Sequence, residues 1–465
     1  MHPLFEEKAS LDERCYKHFK LSPEILMEHA GLGLAKAVAK KLTCKGKALF
    51  VCGPGNNGAD GILAARLLYK VFDVALYLPF ELTSPLAKLQ LKRARAIGVP
   101  ILKELCEADV WVDALFGSGL NRPLDATSQA LIATLNAKKG IKIACDIPSG
   151  LRPIFEPSHI CFLADETIAM GALSAALFHD GAKECVGKIR VTNLGLARSL
   201  YETHSDTFVL QKKDLRLPIR KHKNVHKGSF GHVAILQGRK EGAAILAGMG
   251  AFHFGAGLVS LIAQKTKKNP PYLMQTSTLP SNSSVIVAGM GLEMPFDLPS
   301  TQSYLLDNEL PLVIDASLCI HPLITTILQS QKPMVITPHP KEFSALLKLT
   351  CNEEVSLETI QSQRIHYART WSLRFTHTVL VLKGANTLIA HEGRVYVNTF
   401  GTQALAKGGS GDVLSGMIGA LIAQGYSPKD AAIHASLAHA LVSKKLTCNS
   451  FALTPIDICK GLKWL

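Results

Sequence analysis

Short apolar runs alternate with helix-period stretches along almost the whole chain, and this alternation limits the possible folds more than any other feature. In the first half, strand-like runs fall at residues 48–52, 74–78, 110–116, 142–147, 167–170 and 188–193. Amphipathic stretches such as GILAARLLY (61–69) and residues 86–96 lie between them. A second series occupies 232–237, 258–263, 285–288, 312–315, 334–337 and 378–382, followed by a hairpin of 387–390 and 395–398 around Glu392-Gly393. Alternating β and α segments call for parallel strands joined by crossover helices that cover both faces of the sheet. Around residues 206–222, Pro218 and a basic run break both periodicities. The expectation is therefore an α/β protein of two domains, residues 1–212 and 213–465. The first is a Rossmann-like three-layer α/β/α sandwich. A length of 465 residues agrees, since domains average ~150 residues.

Composition narrows the function classes. The formal net charge of +14 favours anionic partners. The densest basic stretch, residues 216–227, lies between the two series and reads first as a solvated linker, with a nucleic-acid arm as the second reading. Eleven cysteines are scattered without a CxxC pair, which reads as reduced core thiols of a cytoplasmic protein. No charge-free apolar run reaches ~18 residues, so neither a membrane span nor a membrane partner is expected.

In the first half, FVCGPGNNGADG joins a strand to a helix. Its glycines permit a tight turn and close ligand approach, and the N–H groups that open the helix suit an anion. It is neither GxGxxG nor a P-loop, and Asn56, Asn57 and Asp60 add more polar groups than a turn needs. Asp113 (VDALFGSGL) and Asp146 (ACDIPSGL) end two further strands. Ligands of open α/β sheets bind at such strand ends, so the three aspartates are expected to converge. Each alone would read as a cap or turn residue.

LDERCYKHFKLSPEILMEHAG, GPGNNGADG, DALFGSGLNRPL and DIPSGL, in this order, resemble the YjeF N-terminal family, the NAD(P)HX epimerases. The resemblance implies a potassium ion held by Asn57, Asp113 and Ser149. It also implies a hydrated-nucleotide site built from Asn56, Asn57, Gly58, Ala59, Asp60, Gly117, Ser118, Gly119, Leu120, Asn121, Arg122, Pro123 and Asp146. Asp146 is the candidate for proton transfer at the C6 hydroxyl centre. Ala59 departs from the family's usual glycine. If its φ were positive, it would cost on the order of 1 kcal/mol.

The sharpest signal in the second half is AKGGSGDVLSG, residues 406–416, in which a glycine cluster leads into an apolar helix. The N–H groups of Gly409, Ser410 and Gly411 can cradle a phosphate, and Asp412 beside them can take a proton from a substrate hydroxyl. This GxGD segment is similar to that of the ribokinase-like superfamily, whose α/β fold is expected for residues 213–465. HKGSFGHVAIL, GAAILAGMGAFHFGAGLVSL, LVIDAS, VITPHPKEF, LKGANTLIA and GGSGDVLSGMIGALIAQG narrow the likeness to the YjeF C-terminal family, the ADP- or ATP-dependent NAD(P)HX dehydratases.

That resemblance implies phosphorylation of the C6 hydroxyl of NADHX or NADPHX at the expense of ADP or ATP with magnesium, then loss of phosphate to restore NAD(P)H. With ADP the products are AMP and phosphate. By motif, Asp412 is the catalytic base and Ala243, Gly291, His339 and Asp412 contact NAD(P)HX. Lys383, Gly384, Ala385, Asn386, Thr387 and Gly411 bind the adenine nucleotide. Read from the residues alone, His339 before Pro340 orders its loop, and Asp315 either assists phosphate or fixes a turn. Lys341 and Glu342 open a solvated helix. AGMGLEM replaces a GPGLG-like turn but keeps Gly289 and Gly291. The resemblance also implies homo-oligomers and no nucleic-acid partner. Two alternatives stand beside it: a non-catalytic, nucleotide-binding first half, and a ribokinase-like small-molecule kinase.

Overall fold

The computed structural model describes residues 1–43, 46–120, 122–152, 160–263, 268–292, 298–446 and 448–465. The chain divides into two compact units, one of Pro3–Thr207 and one of Phe208–Leu465 together with Met1–His2.

The first unit contains β1 (His2–Phe5), α1 (Ala9–His18), α2 (Pro23–Ala39), β2 (Lys47–Cys52), α3 (Asn56–Leu68), β3 (Asp73–Tyr77), α4 (Pro85–Ala96) and β4 (Ile101–Leu102). It continues with β5 (Val110–Ala114), α5 (Ala126–Ala137), β6 (Ile141–Cys145), β7 (Glu166–Met170), β8 (Leu173–Ser174), β9 (Lys188–Thr192) and α6 (Arg198–Tyr201). Seven strands form one parallel sheet in the order β4-β3-β2-β5-β6-β7-β9. Both faces are covered. Along β2, Ala48, Phe50 and Cys52 pack into one core and Leu49 and Val51 into the other. The order reverses between β2 and β5, and the loops leaving these two strands open a crevice at that switch point. Ser-Pro pairs start two of the covering helices. The Ser22 and Ser84 hydroxyls accept from Ile25 and Ala87 N–H, while Pro23 and Pro85 give up an N–H that would have no partner there.

The second unit follows β10 (Thr207–Val209) with β11 (His232–Leu236), α7 (Glu241–His253), β12 (Leu258–Ile262), β13 (Met274–Thr276), β14 (Val285–Ala288), α8 (Leu298–Leu306), β15 (Leu312–Ile314) and α9 (Leu323–Gln329). Then come β16 (Met334–Ile336), α10 (Pro340–Cys351), α11 (Leu357–Ser362), α12 (Arg364–Arg374), β17 (Thr378–Leu382), β18 (Thr387–His391), β19 (Arg394–Asn398), α13 (Ser410–Ala423), α14 (Pro428–Lys445) and α15 (Pro455–Gly461). Its sheet runs β13-β12-β11-β14-β15-β16-β17-β18-β19-β10, parallel from β13 to β17 and antiparallel along β17-β18-β19. Every residue of β11 and β17 is buried, as strands covered on both faces must be. Glu392 and Gly393, with φ of 48° and 78°, make the tight turn of the expected hairpin. Here the switch point falls between β11 and β14. Residues 216–227 are largely exposed, and the Arg220 guanidinium lies 3.9 Å from the centroid of the Phe230 ring.

Candidate functional site

In the first unit, the loops leaving β2, β5 and β6 meet. The first two approach so closely that a Cβ on Gly53 would lie 1.8 Å from Leu115 O, and within the β2–α3 turn a Cβ on Gly58 would lie 2.0 Å from Gly53 O, so only glycine fits at either place. Asn56, Asn57, Gly58, Ala59 and Asp60 form the first turn of α3. Ala59 is buried there and is not among the positive-φ residues, so the strain that a left-handed alanine would carry does not arise.

Asp146 ends β6 in a strained turn, with φ of +66° and Ile147 N–H donating to Cys145 O at 2.9 Å. Its carboxylate is buried. Oδ2 accepts from Ser118 N–H at 2.9 Å, and Oδ1 accepts from Met170 N–H at 3.3 Å and from the ammonium of Lys8. Burial pushes its pKa up, but the Lys8 charge and hydrogen bond and the Ser118 contacts outweigh that and hold it below the usual carboxylate range. Asp60 goes the other way. Burial raises it well above that range, the charges of Asp146 and Asp12 add to this, and Lys8 opposes it. Asp12 is also raised by burial and accepts the Tyr201 hydroxyl at 2.7 Å.

Asp113 and Ser149 are linked twice, Ser149 N–H to Oδ2 at 2.7 Å and Ser149 Oγ to Oδ1 at 2.6 Å. Burial moves Asp113 up to about 6. Asn57 is half-buried, and its amide oxygen and nitrogen, both shielded from solvent, have no hydrogen-bond partner. A Cβ on Gly117 would sit 3.1 Å from Asn57 Oδ1 and 3.2 Å from Asp146 Oδ2, which puts the amide oxygen beside the carboxylate. Gly117, Ser118 and Leu120 are half-buried in this loop, while Gly119, Arg122 and Pro123 are exposed. Asn121 lies outside the described residues.

In the second unit, the candidate base Asp412 lies in the first turn of α13, after Gly409 with its left-handed φ of 89°. Across from it stands a buried network. Lys383 Nζ meets Asp315 Oδ1 at 2.8 Å, and Ser415 Oγ donates to Asp315 Oδ2 at 2.7 Å. Asp315 Oδ1 also accepts Ala316 N–H at 2.8 Å, so this aspartate both fixes the turn and anchors the lysine. A Cβ on Gly411 would be 3.4 Å from Lys383 Nζ, so the ammonium faces the glycine loop. Burial and the Asp315 charge push Asp412 up to about 6 against the pull of Lys383.

Gly384, Ala385, Asn386 and Thr387 form the turn into β18. Arg364, buried at the start of α12, holds it by donating to Asn386 O at 2.8 Å, Leu382 O at 2.9 Å and Lys383 O at 3.0 Å. Ala243 and Gly291 adjoin at the switch point. Gly291 has φ of +68°, and a Cβ there would lie 3.2 Å from that of Ala243. His339 caps α10: its Nδ1 accepts Glu342 N–H at 3.1 Å, and Glu342 Oε2 accepts His339 N–H at 2.8 Å. Glu342 is thereby drawn to half-burial, where the sequence suggested a solvated side chain.

Sequence reasoning missed Lys8 and Arg364. Neither sits in a motif, and their partners are far along the chain. Arg364 stands in a mostly polar stretch (QSQRIHY) and Lys8 in a charged one, so neither gave a signal.

Two open α/β sheets, each with polar side chains gathered at its switch point, define a two-module enzyme of the nucleotide-handling kind. The family described as NAD(P)H-hydrate dehydratase matches residues 233–463, and that described as YjeF-related protein N-terminus matches 23–176. A bifunctional NAD(P)H-hydrate repair enzyme of Helicobacter pylori is 40% identical over 100% of both chains. Another, from Coxiella burnetii, is 32% identical over 93% of this chain and 92% of its own. Among solved structures, the ADP/ATP-dependent NAD(P)H-hydrate dehydratase of Bacillus subtilis, co-crystallised with ATP and Mg2+, is 25% identical. It covers 53% of this chain and 92% of its own, with a TM-score of 0.44. The chain belongs to the bifunctional NAD(P)H-hydrate repair enzymes, and both modules of that family are present.

Proposed function

We propose that the second unit dehydrates S-NAD(P)HX by phosphorylating its C6 hydroxyl from ADP, giving AMP, phosphate and NAD(P)H, and that the first unit interconverts the R and S hydrates. The observation that carries this reading is Asp412, half-buried at the start of α13 and facing the Lys383–Asp315 pair.

In the dehydratase, Asp412 accepts the hydroxyl proton as the oxygen takes up the phosphoryl group. Gly411 and the first N–H groups of α13 receive the phosphate charge, and Lys383 stands beside them. Phosphorylation makes phosphate, and not hydroxide, the group that leaves C6 as C5 gives up a proton, which is why a dehydratase can use kinase architecture. Ala243, Gly291 and His339 line the hydrate. Lys383, Gly384, Ala385, Asn386 and Thr387, on the turn clamped by Arg364, hold the adenine nucleotide. Magnesium bound with the nucleotide would shield its phosphate charge.

In the epimerase, Asp146, whose pKa is held low, takes the proton of the C6 hydroxyl as the C6–N1 bond breaks and the ring opens to an aldehyde; Asp60, raised well above the usual carboxylate range, is the matching donor to the released nitrogen, and re-closure on the other face inverts C6. Environments that push two carboxyl groups apart commonly assign acid and base in this way. Potassium fits the donor set: Asn57 offers a buried amide oxygen with no hydrogen bond, while Asp113 and Ser149 supply hard oxygens nearby. When bound, the ion would supply positive charge to the nucleotide phosphate. Asn56, the Gly117–Pro123 loop and the N-terminus of α3 surround the same crevice. Assembly into homo-oligomers and a cytoplasmic location, among the free nucleotide pool, belong to this reading.

Two substitutions in the full chain separate the sites. Asp412→Asn is expected to lower dehydration by at least ~100-fold while R/S interconversion, followed by chromatography, continues. Asp146→Asn is expected to do the reverse. Loss of both activities from either change, with both units folded, would contradict two independent sites.

A further inference from the structure

The N-terminal segment brings to the Asp146 carboxylate a cation that none of the sequence motifs contains. Lys8 precedes α1, and only 7% of its surface is exposed. Burying an ammonium is costly unless it is paired and hydrogen-bonded. Here both conditions are met by the strand-end site itself, through Asp146 Oδ1 and, at 3.2 Å, Met170 O. With Ser118 N–H on Oδ2 and Met170 N–H on Oδ1, the carboxylate is gripped from three segments: the lead-in to α1, the end of β7 and the loop after β5. Of the three, Lys8 alone brings a full charge.

Resting on the reading of Asp146 as the proton-transfer group, we propose that Lys8 is a positioning residue of the epimerase: its ammonium fixes the direction of the Asp146 carboxylate and brings a full positive charge to it beside the carboxyls of Asp60 and Asp12. Asp146 already sits in a left-handed turn, so its side-chain direction depends on these contacts and not on a relaxed backbone. Without the cation, a buried carboxylate faces two further acidic groups with backbone N–H donors alone. A misplacement of about 1 Å in a reacting group costs on the order of a hundredfold in rate.

The test uses the full-length protein at saturating potassium, with purified R-NADHX converted to the S epimer and followed by chromatography. Lys8→Met, similar in volume but neutral, is expected to lower kcat on the order of a hundredfold with little change in KM. Lys8→Arg, which keeps the charge, should recover most of the rate. Lys8→Ala should be rescued saturably by ethylammonium, which refills the vacated volume with a cation, and this rescue decides the matter if Lys8→Met does not fold. Wild-type kcat in Lys8→Met would overturn the proposal, as would a defect that lies in KM or an alanine variant that the amine does not restore. Asp146→Asn is run in parallel. If it retains epimerisation, the underlying assignment of Asp146 fails. If it is inactive while Lys8→Met is normal, only the role of Lys8 fails.

Discussion

Asp412 and its neighbours give the clearest consequence at the scale of single residues. Burial and the Asp315 charge raise its pKa to about 6, and a base must be unprotonated to act. The rate of dehydration should therefore be flat above that value and fall as the pH drops through it. Lys383 pulls the Asp412 pKa down, so Lys383→Met should move this limb to higher pH, on top of weakened nucleotide binding. A pH–kcat profile of both proteins checks it, and a limb that shifts to lower pH would remove the electrostatic link. Arg364 makes a separate prediction. Its guanidinium satisfies three carbonyls of the turn around Lys383–Asn386, and each buried group left without a partner costs about 1–3 kcal/mol. Arg364→Met should lower the stability of the second unit by at least ~2 kcal/mol and raise KM for ADP more than KM for the hydrate. Denaturant unfolding and initial-rate kinetics read the two effects.

Among elements, α13 links packing to chemistry. It crosses α7 at two glycines: a Cβ on Gly416 would lie 1.8 Å from Ala247 O, and one on Gly250 2.5 Å from Val413 O. The close crossing sets the depth of the helix whose first turn carries Asp412. Gly416→Ala forces the two helices apart, at a cost of ~2–3 kcal/mol or more, and should depress dehydration while epimerisation in the first unit continues. A variant with unchanged unfolding midpoint and turnover would show that the crossing does not set the geometry. The elements are also where the sequence was most legible. Apolar runs of strand length located β2, β5, β11 and β17 to within a few residues, because strands buried on both faces are predominantly apolar. The glycine-rich turns and strand-end aspartates lie at the carboxyl ends of strands, where the sequence put them. Short strands such as β4 and β8 left no pattern, since two residues carry no periodicity. The Lys8–Asp146 contact spans 138 residues, and only the fold brings that pair together. The left-handed turn at Asp146 was hidden for a different reason: an aspartate at a strand end does not disclose its φ.

For the molecule as a whole, the decisive property is that two separate α/β units carry complementary chemistry on one hydrated substrate. A dehydratase specific for one epimer recovers part of a mixed pool and then waits on spontaneous interconversion, whereas an epimerase in the same chain removes that limit. The most direct test is the absorbance at 340 nm of the purified protein mixed with an R/S mixture of NADHX, magnesium, potassium and ADP. The account predicts rapid recovery of NADH from the whole mixture, a biphasic trace that stops near the S fraction in Asp146→Asn, and none in Asp412→Asn. Absence of any recovery in the wild-type protein, with ADP or with ATP, would contradict the account.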